Sequence, residues 1–264
     1  MKLQFDLSKT YAIALEGGGA KGAYQIGVWK ALDEAGLRYN AVSGSSVGAL
    51  NGYFMATHGL DKAREIWENI RFSQVMNVDD KLLTSVFDRE EHESLKDRLG
   101  NLWELGRYMM DAVRDGGIDI TPLRELLKET VDEEALRASD VDLYVVTYSL
   151  DQHEELDIDV KTLPQGQVPD ILMASAYLPG FKRELLAGGK RFADGGVQDL
   201  IPIHSLTSRG YQDILVLRIY GIGLQRHFEI PEDVNITTIA PREKLGNMLN
   251  LDAETARRNI QLGN

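Results

Sequence analysis

Cysteine is absent from this 264-residue chain, which excludes disulfides, thiolate nucleophiles and the usual soft metal ligands. Histidine is scarce as well. His58, His92, His153, His204 and His227 are scattered, with no pair at the helical spacing of a zinc site. Neither a metal nor a cofactor is expected. No apolar run approaches the roughly 18 residues that suggest a membrane span, so no integral membrane segment is expected. The opening residues, Met1-Lys2-Leu3-Gln4-Phe5-Asp6, lack the apolar stretch of a secretory signal, and a cytoplasmic location is the expectation. Positive charge is in deficit, with 29 Lys and Arg against 41 Asp and Glu, for a net charge of −12. Nucleic acid would be repelled, and strong electrostatic docking on anionic lipid is disfavoured. Any membrane-surface contact would be transient, local and apolar.

What is present suits a globular protein: 43% hydrophobic and 27% charged residues supply both a core and a solvated surface. Tyr11-Ala12-Ile13-Ala14-Leu15 reads as a short buried strand running into glycines. Over 20–37 the pattern turns helical, with Ala23, Ile26, Gly27, Lys30, Ala31 and Glu34 at turn spacing and Gly36 as the stop. A second strand follows at 39–43, and a second helix runs from Ser46 to near Gly59. Strand, helix, strand, helix predicts parallel pairing through right-handed crossovers. Further strands are expected at 142–148 and 213–219, and a helix at 168–177. A hairpin is expected around Gly188-Gly189, with arms at 184–187 and 190–193. The expected fold is α/β, a central, mostly parallel sheet flanked by helices. Residues 1–264 read as a single domain with a less regular, cap-like segment around 73–121. Within that segment, Leu99, Leu102, Trp103, Leu105, Met109, Met110 and Val113 form a helical apolar stripe, either core packing or a lipid-facing cap. No closing element is readable near Asn264, which leaves room for a longer natural chain.

Three short stretches carry the chemistry. Gly44-Ser45-Ser46-Val47-Gly48 has the G-x-S-x-G form of a nucleophile elbow and lies between an expected strand and an expected helix. Its glycines permit a sharp turn and keep side chains away from the Ser46 hydroxyl. A serine N-cap in a glycine-rich turn is the plainer reading. Gly17-Gly18-Gly19-Ala20-Lys21-Gly22 admits three readings. It is an oxyanion cradle built from the Gly17, Gly18 and Gly19 amides, a plain strand-to-helix turn, or a dinucleotide fingerprint. The last wants an acidic residue about 20 positions on, where Asn40 and Ala41 stand instead. Asp194-Gly195-Gly196 is either a turn former or the base that takes the proton of Ser46.

Taken together, these stretches resemble the patatin-like phospholipase family, in its bacterial type. The resemblance lies in Leu15-Glu16-Gly17-Gly18-Gly19-Ala20-Lys21-Gly22-Ala23-Tyr24, in Gly44-Ser45-Ser46-Val47-Gly48-Ala49-Leu50-Asn51-Gly52, in Ala174-Ser175-Ala176-Tyr177-Leu178-Pro179-Gly180-Phe181 and in Asp194-Gly195-Gly196-Val197. Order and spacing agree from about residue 11 to about residue 220. The resemblance implies a three-layer sandwich and a Ser-Asp dyad of Ser46 and Asp194. It also implies an oxyanion hole from Gly17 to Gly19, no metal, and acyl-ester hydrolysis on lipids of the phospholipase A or esterase type. The Ala174–Phe181 stretch is implied to be structural. Family members often carry asparagine two residues before the proline that follows the Asp-Gly motif; this chain has Leu200 there.

Two other functions remain compatible with the residues. A Ser-His-Asp esterase could draw on Ser46, Asp194 and His204 or His227, although only two expected strands precede Ser46 and α/β-hydrolases normally place more there. A non-catalytic dinucleotide-binding module would use the glycines alone.

Overall fold

The structure, a computed structural model, describes residues 5–81, 83, 114 and 116–264. The apolar stripe from Leu99 to Val113 and most of the cap-like segment lie outside the described residues.

The fold grows from strands whose two faces serve different cores. β1 (Thr10–Leu15) sends Tyr11, Ile13 and Leu15 into the larger core and Ala12 and Ala14 into a smaller one on the opposite face. β2 (Arg38–Ser45), β3 (Asp142–Ser149) and β6 (Asp213–Leu217) alternate in the same way. Strands buried on both faces read as continuous apolar runs, which is why β1, β3 and β6 are legible in the sequence. The sheet has seven strands in the order β4-β3-β2-β1-β6-β7, where β4 is Glu154–Asp159 and β7 is Asn235–Ile239. β5 (Phe192–Asp194) lies off this path. β1, β2, β3, β6 and β7 are parallel, while β4 and β5 run antiparallel to β3.

Helices cover both faces. On the larger core lie α1 (Ala23–Glu34), α2 (Val47–Ala56), α3 (Leu60–Glu68), α4 (Thr121–Thr130), α5 (Glu133–Ala138) and α6 (Val168–Ser175). α7 (Ile203–Thr207) supplies Ile203 and Leu206 to the smaller core. The first helix begins later than its periodicity suggests, because Gly19–Gly22 forms a 3-10 turn before it. It ends as expected, with Gly36 beyond it at φ 74°, a left-handed conformation that glycine adopts without steric cost.

Two expectations are corrected. The Gly188-Gly189 turn forms, but its arms meet only at the Leu186–Lys190 bridge. The second arm instead enters the main sheet as β5, pairing Phe192, Ala193 and Asp194 with Ser149, Tyr148 and Thr147. A helix unread in the sequence also stands near residue 264: α8 (Ala253–Gly263) buries Ala256 and Ile260 in the larger core. It packs closely on α1, since a Cβ on Gly27 would lie 2.0 Å from the Ile260 carbonyl oxygen.

The register positions the site. Leu15 at the end of β1 pairs with Gly44 near the end of β2, so the loops that follow emerge side by side. The chain runs from β1 outward to β2 and β3 on one side, and to β6 and β7 on the other. The carboxyl ends of such strands, where the order reverses, are the usual ligand crevice of an open α/β sheet. β2 pairs with β3 only as far as Val146, and β5 takes up the same side of β3 from Thr147 onward. Asp194 is thereby laid against the end of β2.

Candidate active site

Ser46 is the single residue between β2 and α2. Its backbone stands at φ 56° and ψ −127°, a conformation that costs a non-glycine residue on the order of 1–3 kcal/mol and clusters at functional sites. The strain holds because the flanking glycines admit close packing. A Cβ on Gly44 would lie 2.3 Å from the Gly48 carbonyl oxygen, and one on Gly48 would lie 2.4 Å from that of Leu15. Any side chain at either position would push the elbow open.

Ser175, at the end of α6, was not singled out from the sequence. Its hydroxyl accepts the Ser46 N–H at 2.9 Å and donates to the Val146 carbonyl at 2.6 Å, bridging the elbow to β3 from a fully buried position. The Ala174–Phe181 stretch is thus structural support with a direct hold on Ser46. Ser175→Ala leaves two buried groups unpaired, each costing roughly 1–3 kcal/mol. The expected result is an earlier urea midpoint together with about tenfold slower turnover. An unchanged midpoint would show that the bridge is dispensable.

Asp194 is 4% exposed. Its Oδ1 accepts the Gly196 N–H at 2.8 Å, which turns the chain after β5. Burial pushes its carboxyl up to about 6, while the Ser46 hydroxyl and the Gly196 N–H pull in the opposite direction. The Ser46 hydroxyl thus lies near enough to the Asp194 carboxylate to influence its ionisation. Among the described residues, Asp194 Oδ2 is buried and has no hydrogen-bond partner. Such an incomplete set of hydrogen bonds is common in unliganded sites.

The glycine loop lies against the elbow, since a Cβ on Gly17 would fall 3.1 Å from Ser46 Cβ. The Gly17 N–H donates to the Leu200 carbonyl at 2.9 Å and so is committed internally; Gly18 and Gly19 make no such bond among the described residues. Leu200 supports the loop through its backbone, with its own N–H donating to Leu224 at 2.7 Å. Glu16, buried beneath the loop, accepts the N–H groups of Ile219, Tyr220 and Gly221 and pairs with Arg218 at 3.0 Å. Asn51 joins α2 to the glycine turn by donating to the Gly22 carbonyl at 3.0 Å, and it accepts the Trp67 indole N–H at 2.9 Å.

Among the described residues no histidine joins this cluster. His204 packs its ring on Phe228, centroids 5.2 Å apart, and His227 is exposed; neither acts on the Asp194 carboxylate. Among the described residues no cluster of side chains could hold a metal ion. β2 ends in Ser43-Gly44-Ser45, with no acidic residue for a ribose.

Ser46 opens onto an apolar cavity of about 130 Å³, whose walls include Leu50, Phe54, Trp67, Leu127, Phe181 and Leu251. Among the described residues no helix is long and apolar enough to cross a membrane.

The class is thus an α/β sandwich with a strained serine at a strand–helix elbow, beside a glycine loop and a buried carboxylate. Residues 13–207 match the family model described as patatin-like phospholipase. The chain belongs to that family, whose members act in general as lipid hydrolases. It is 46% identical over 48 residues to lysophospholipase nte1 of Aspergillus terreus, covering 18% of this chain and 3% of that protein. It is 36% identical over 107 residues to human patatin-like phospholipase domain-containing protein 6, covering 36% of this chain and 8% of that one. The chain thus spans a small part of these curated relatives. Among solved structures, VipD from Legionella pneumophila superposes with a TM-score of 0.55 at 17% identity, over 96% of this chain and 65% of the other; that likeness concerns the fold.

Proposed function

We propose that this protein is a lipid acyl hydrolase working through a Ser46–Asp194 dyad. The observation that carries the reading is the meeting of a strained serine and a buried carboxylate at the mouth of an apolar cavity. The apolar lining of the cavity suits an acyl chain.

In the proposed reaction Ser46 Oγ attacks the ester carbonyl carbon while its proton passes to Asp194. The carbonyl oxygen becomes an oxyanion, held by the Gly18 and Gly19 N–H groups, with Gly17 anchoring their loop. The positive end of α2 adds favourable potential. Collapse breaks the ester bond, and the leaving alcohol or lysolipid takes the proton from Asp194. Water then enters, gives its proton to Asp194 and attacks the acyl-serine. The fatty acid departs as Ser46 regains its proton. A carboxylate in water is a weak base for a serine hydroxyl, and burial is what raises its basicity here.

Purified protein should release fatty acid from phosphatidylcholine or lysophosphatidylcholine, with Ser46→Ala as the control. A fluorophosphonate should label Ser46 rather than Ser45. Failure to release fatty acid from these lipids or nitrophenol from a nitrophenyl ester would overturn the reading.

Asp194 also sets a pH dependence. The base must be ionised, so kcat/KM should rise with pH through a midpoint at about 6. Stability should move in the opposite direction. Between about pH 4 and pH 6 the native carboxyl keeps a proton that the unfolded chain has released, so stability falls as pH rises through that window. The full effect is on the order of 3 kcal/mol. A pH–rate profile flat between 5 and 7 would remove Asp194 from the base role.

A further inference from the structure

Residues 220–224 read Tyr-Gly-Ile-Gly-Leu, and the large side chains and the glycines go to opposite sides. The glycines face the site: a Cβ on Gly221 would lie 2.0 Å from the Gly17 carbonyl oxygen, and one on Gly223 would lie 2.6 Å from that of Gly196. The alternate positions point away from the protein, leaving Tyr220 55% exposed, Ile222 77% and Leu224 62%. This is no loose tail. Glu16 holds the N–H groups of Tyr220 and Gly221 at 3.0 and 3.2 Å, and the Leu224 N–H donates to Gly196 at 2.8 Å. A segment pinned at both ends to the loops around Ser46 and Asp194 thus displays three apolar side chains to water. Leu249, 45% exposed, stands in the wall of the apolar cavity. It follows Met248, whose carbonyl oxygen would meet a Cβ on Gly19 at 2.2 Å. Exposed apolar groups therefore flank the glycine turn.

Beside the ridge the charge is anomalous for a chain of net charge −12. Lys21, Arg242 and Lys244 line one depression with Tyr220, and none has an acidic partner among the described residues. Glu243, in the same depression, is taken by Arg258 at 3.1 Å. The Lys21 ammonium donates to the Tyr220 carbonyl at 2.5 Å, which sets a cation at the base of the ridge. Apolar side chains projecting beyond a cationic shelf match a phospholipid surface, whose acyl layer lies beneath a layer of phosphates.

We propose that Tyr220, Ile222 and Leu224 insert into a phospholipid surface while Lys21, Arg242 and Lys244 meet its phosphates, bringing the mouth of the Ser46 site against the lipid. The proposal rests on the lipid-hydrolase reading for its purpose, but its test does not depend on turnover. Binding to phosphatidylcholine vesicles is measured by co-sedimentation in the Ser46→Ala background, so that no lipid is consumed. Adding Ile222→Asp and Leu224→Asp should weaken binding at least about tenfold, since each burial of such a side chain contributes more than about 1.5 kcal/mol. Arg242→Gln with Lys244→Gln should weaken it to a lesser degree. With Ser46 restored, the apolar pair of substitutions should keep hydrolysis of a soluble nitrophenyl ester and lose hydrolysis of vesicles. Thermal midpoints within a few degrees of the parent confirm folding even if the ester is not cleaved. Vesicle binding unaltered by the apolar substitutions, or absent in the parent, would overturn the proposal. If those substitutions instead turn a dimer into a monomer in sedimentation, the ridge belongs to a second copy of this chain and the proposal also fails.

Discussion

Ser46→Ala is expected to lower ester turnover by up to about six orders of magnitude, the scale seen when a serine hydrolase loses its nucleophile, and to leave the fold unchanged. The structural half of that expectation follows from what the hydroxyl does not do. The backbone N–H of Ser46 is held by Ser175 at 2.9 Å, and its carbonyl accepts the Ala49 N–H at 2.9 Å; alanine keeps both bonds. The left-handed backbone at φ 56° strains alanine about as much as serine, because the penalty comes from Cβ. Melting temperature should therefore stay within a few degrees of the parent. The measurement is turnover of a short nitrophenyl ester at saturation, with fluorophosphonate labelling alongside. Activity within tenfold of the parent would show that another group attacks the ester.

Asp194→Asn should slow turnover on the order of 10⁴-fold, as removal of the acidic member does in a well-studied serine protease. Unlike most active-site substitutions, it should not weaken the protein. The asparagine carbonyl can still accept the Gly196 N–H that Oδ1 accepts at 2.8 Å. The ionisable carboxyl, which burial pushes up to about 6, is gone. At pH 8 the variant should be more stable than the parent, by up to about 3 kcal/mol if the amide nitrogen finds a partner. Below pH 4, where the parent carboxyl is protonated in both states, the two should converge. Urea titrations at pH 4 and pH 8 and a pH–rate profile check both halves. Loss of activity with loss of stability at pH 8 would mean that Asp194 serves the turn rather than the reaction.

Much of this was legible in the chain because local patterns have local causes. β1, β3 and β6 are apolar runs of strand length, and a sheet buried on both faces demands such runs. β4 was invisible because Glu154-Glu155-Leu156-Asp157-Ile158-Asp159 is mostly acidic. It is an edge strand, where charge opposes pairing with other chains. α8 escaped notice because its buried stripe is narrow, with Asn259 between Ala256 and Ile260 in the buried set.

The sequence by itself determined the strand–turn–helix around Ser46, the glycine-rich turn after β1, the turn at Asp194-Gly195-Gly196 and the family these stretches resemble. It determined them because glycine positions and apolar periodicity act over a few residues. Only the tertiary structure decided that the arm ending in Asp194 leaves its own hairpin to pair with β3 where β2 stops, which lays the carboxylate beside Ser46. It alone committed the Gly17 N–H to Leu200, recruited Ser175 to the elbow and turned Tyr220, Ile222 and Leu224 outward. Each of these outcomes joins segments distant in sequence. They depend on which pairings bury the most apolar surface and leave the fewest polar groups unmatched, a competition settled across the whole fold.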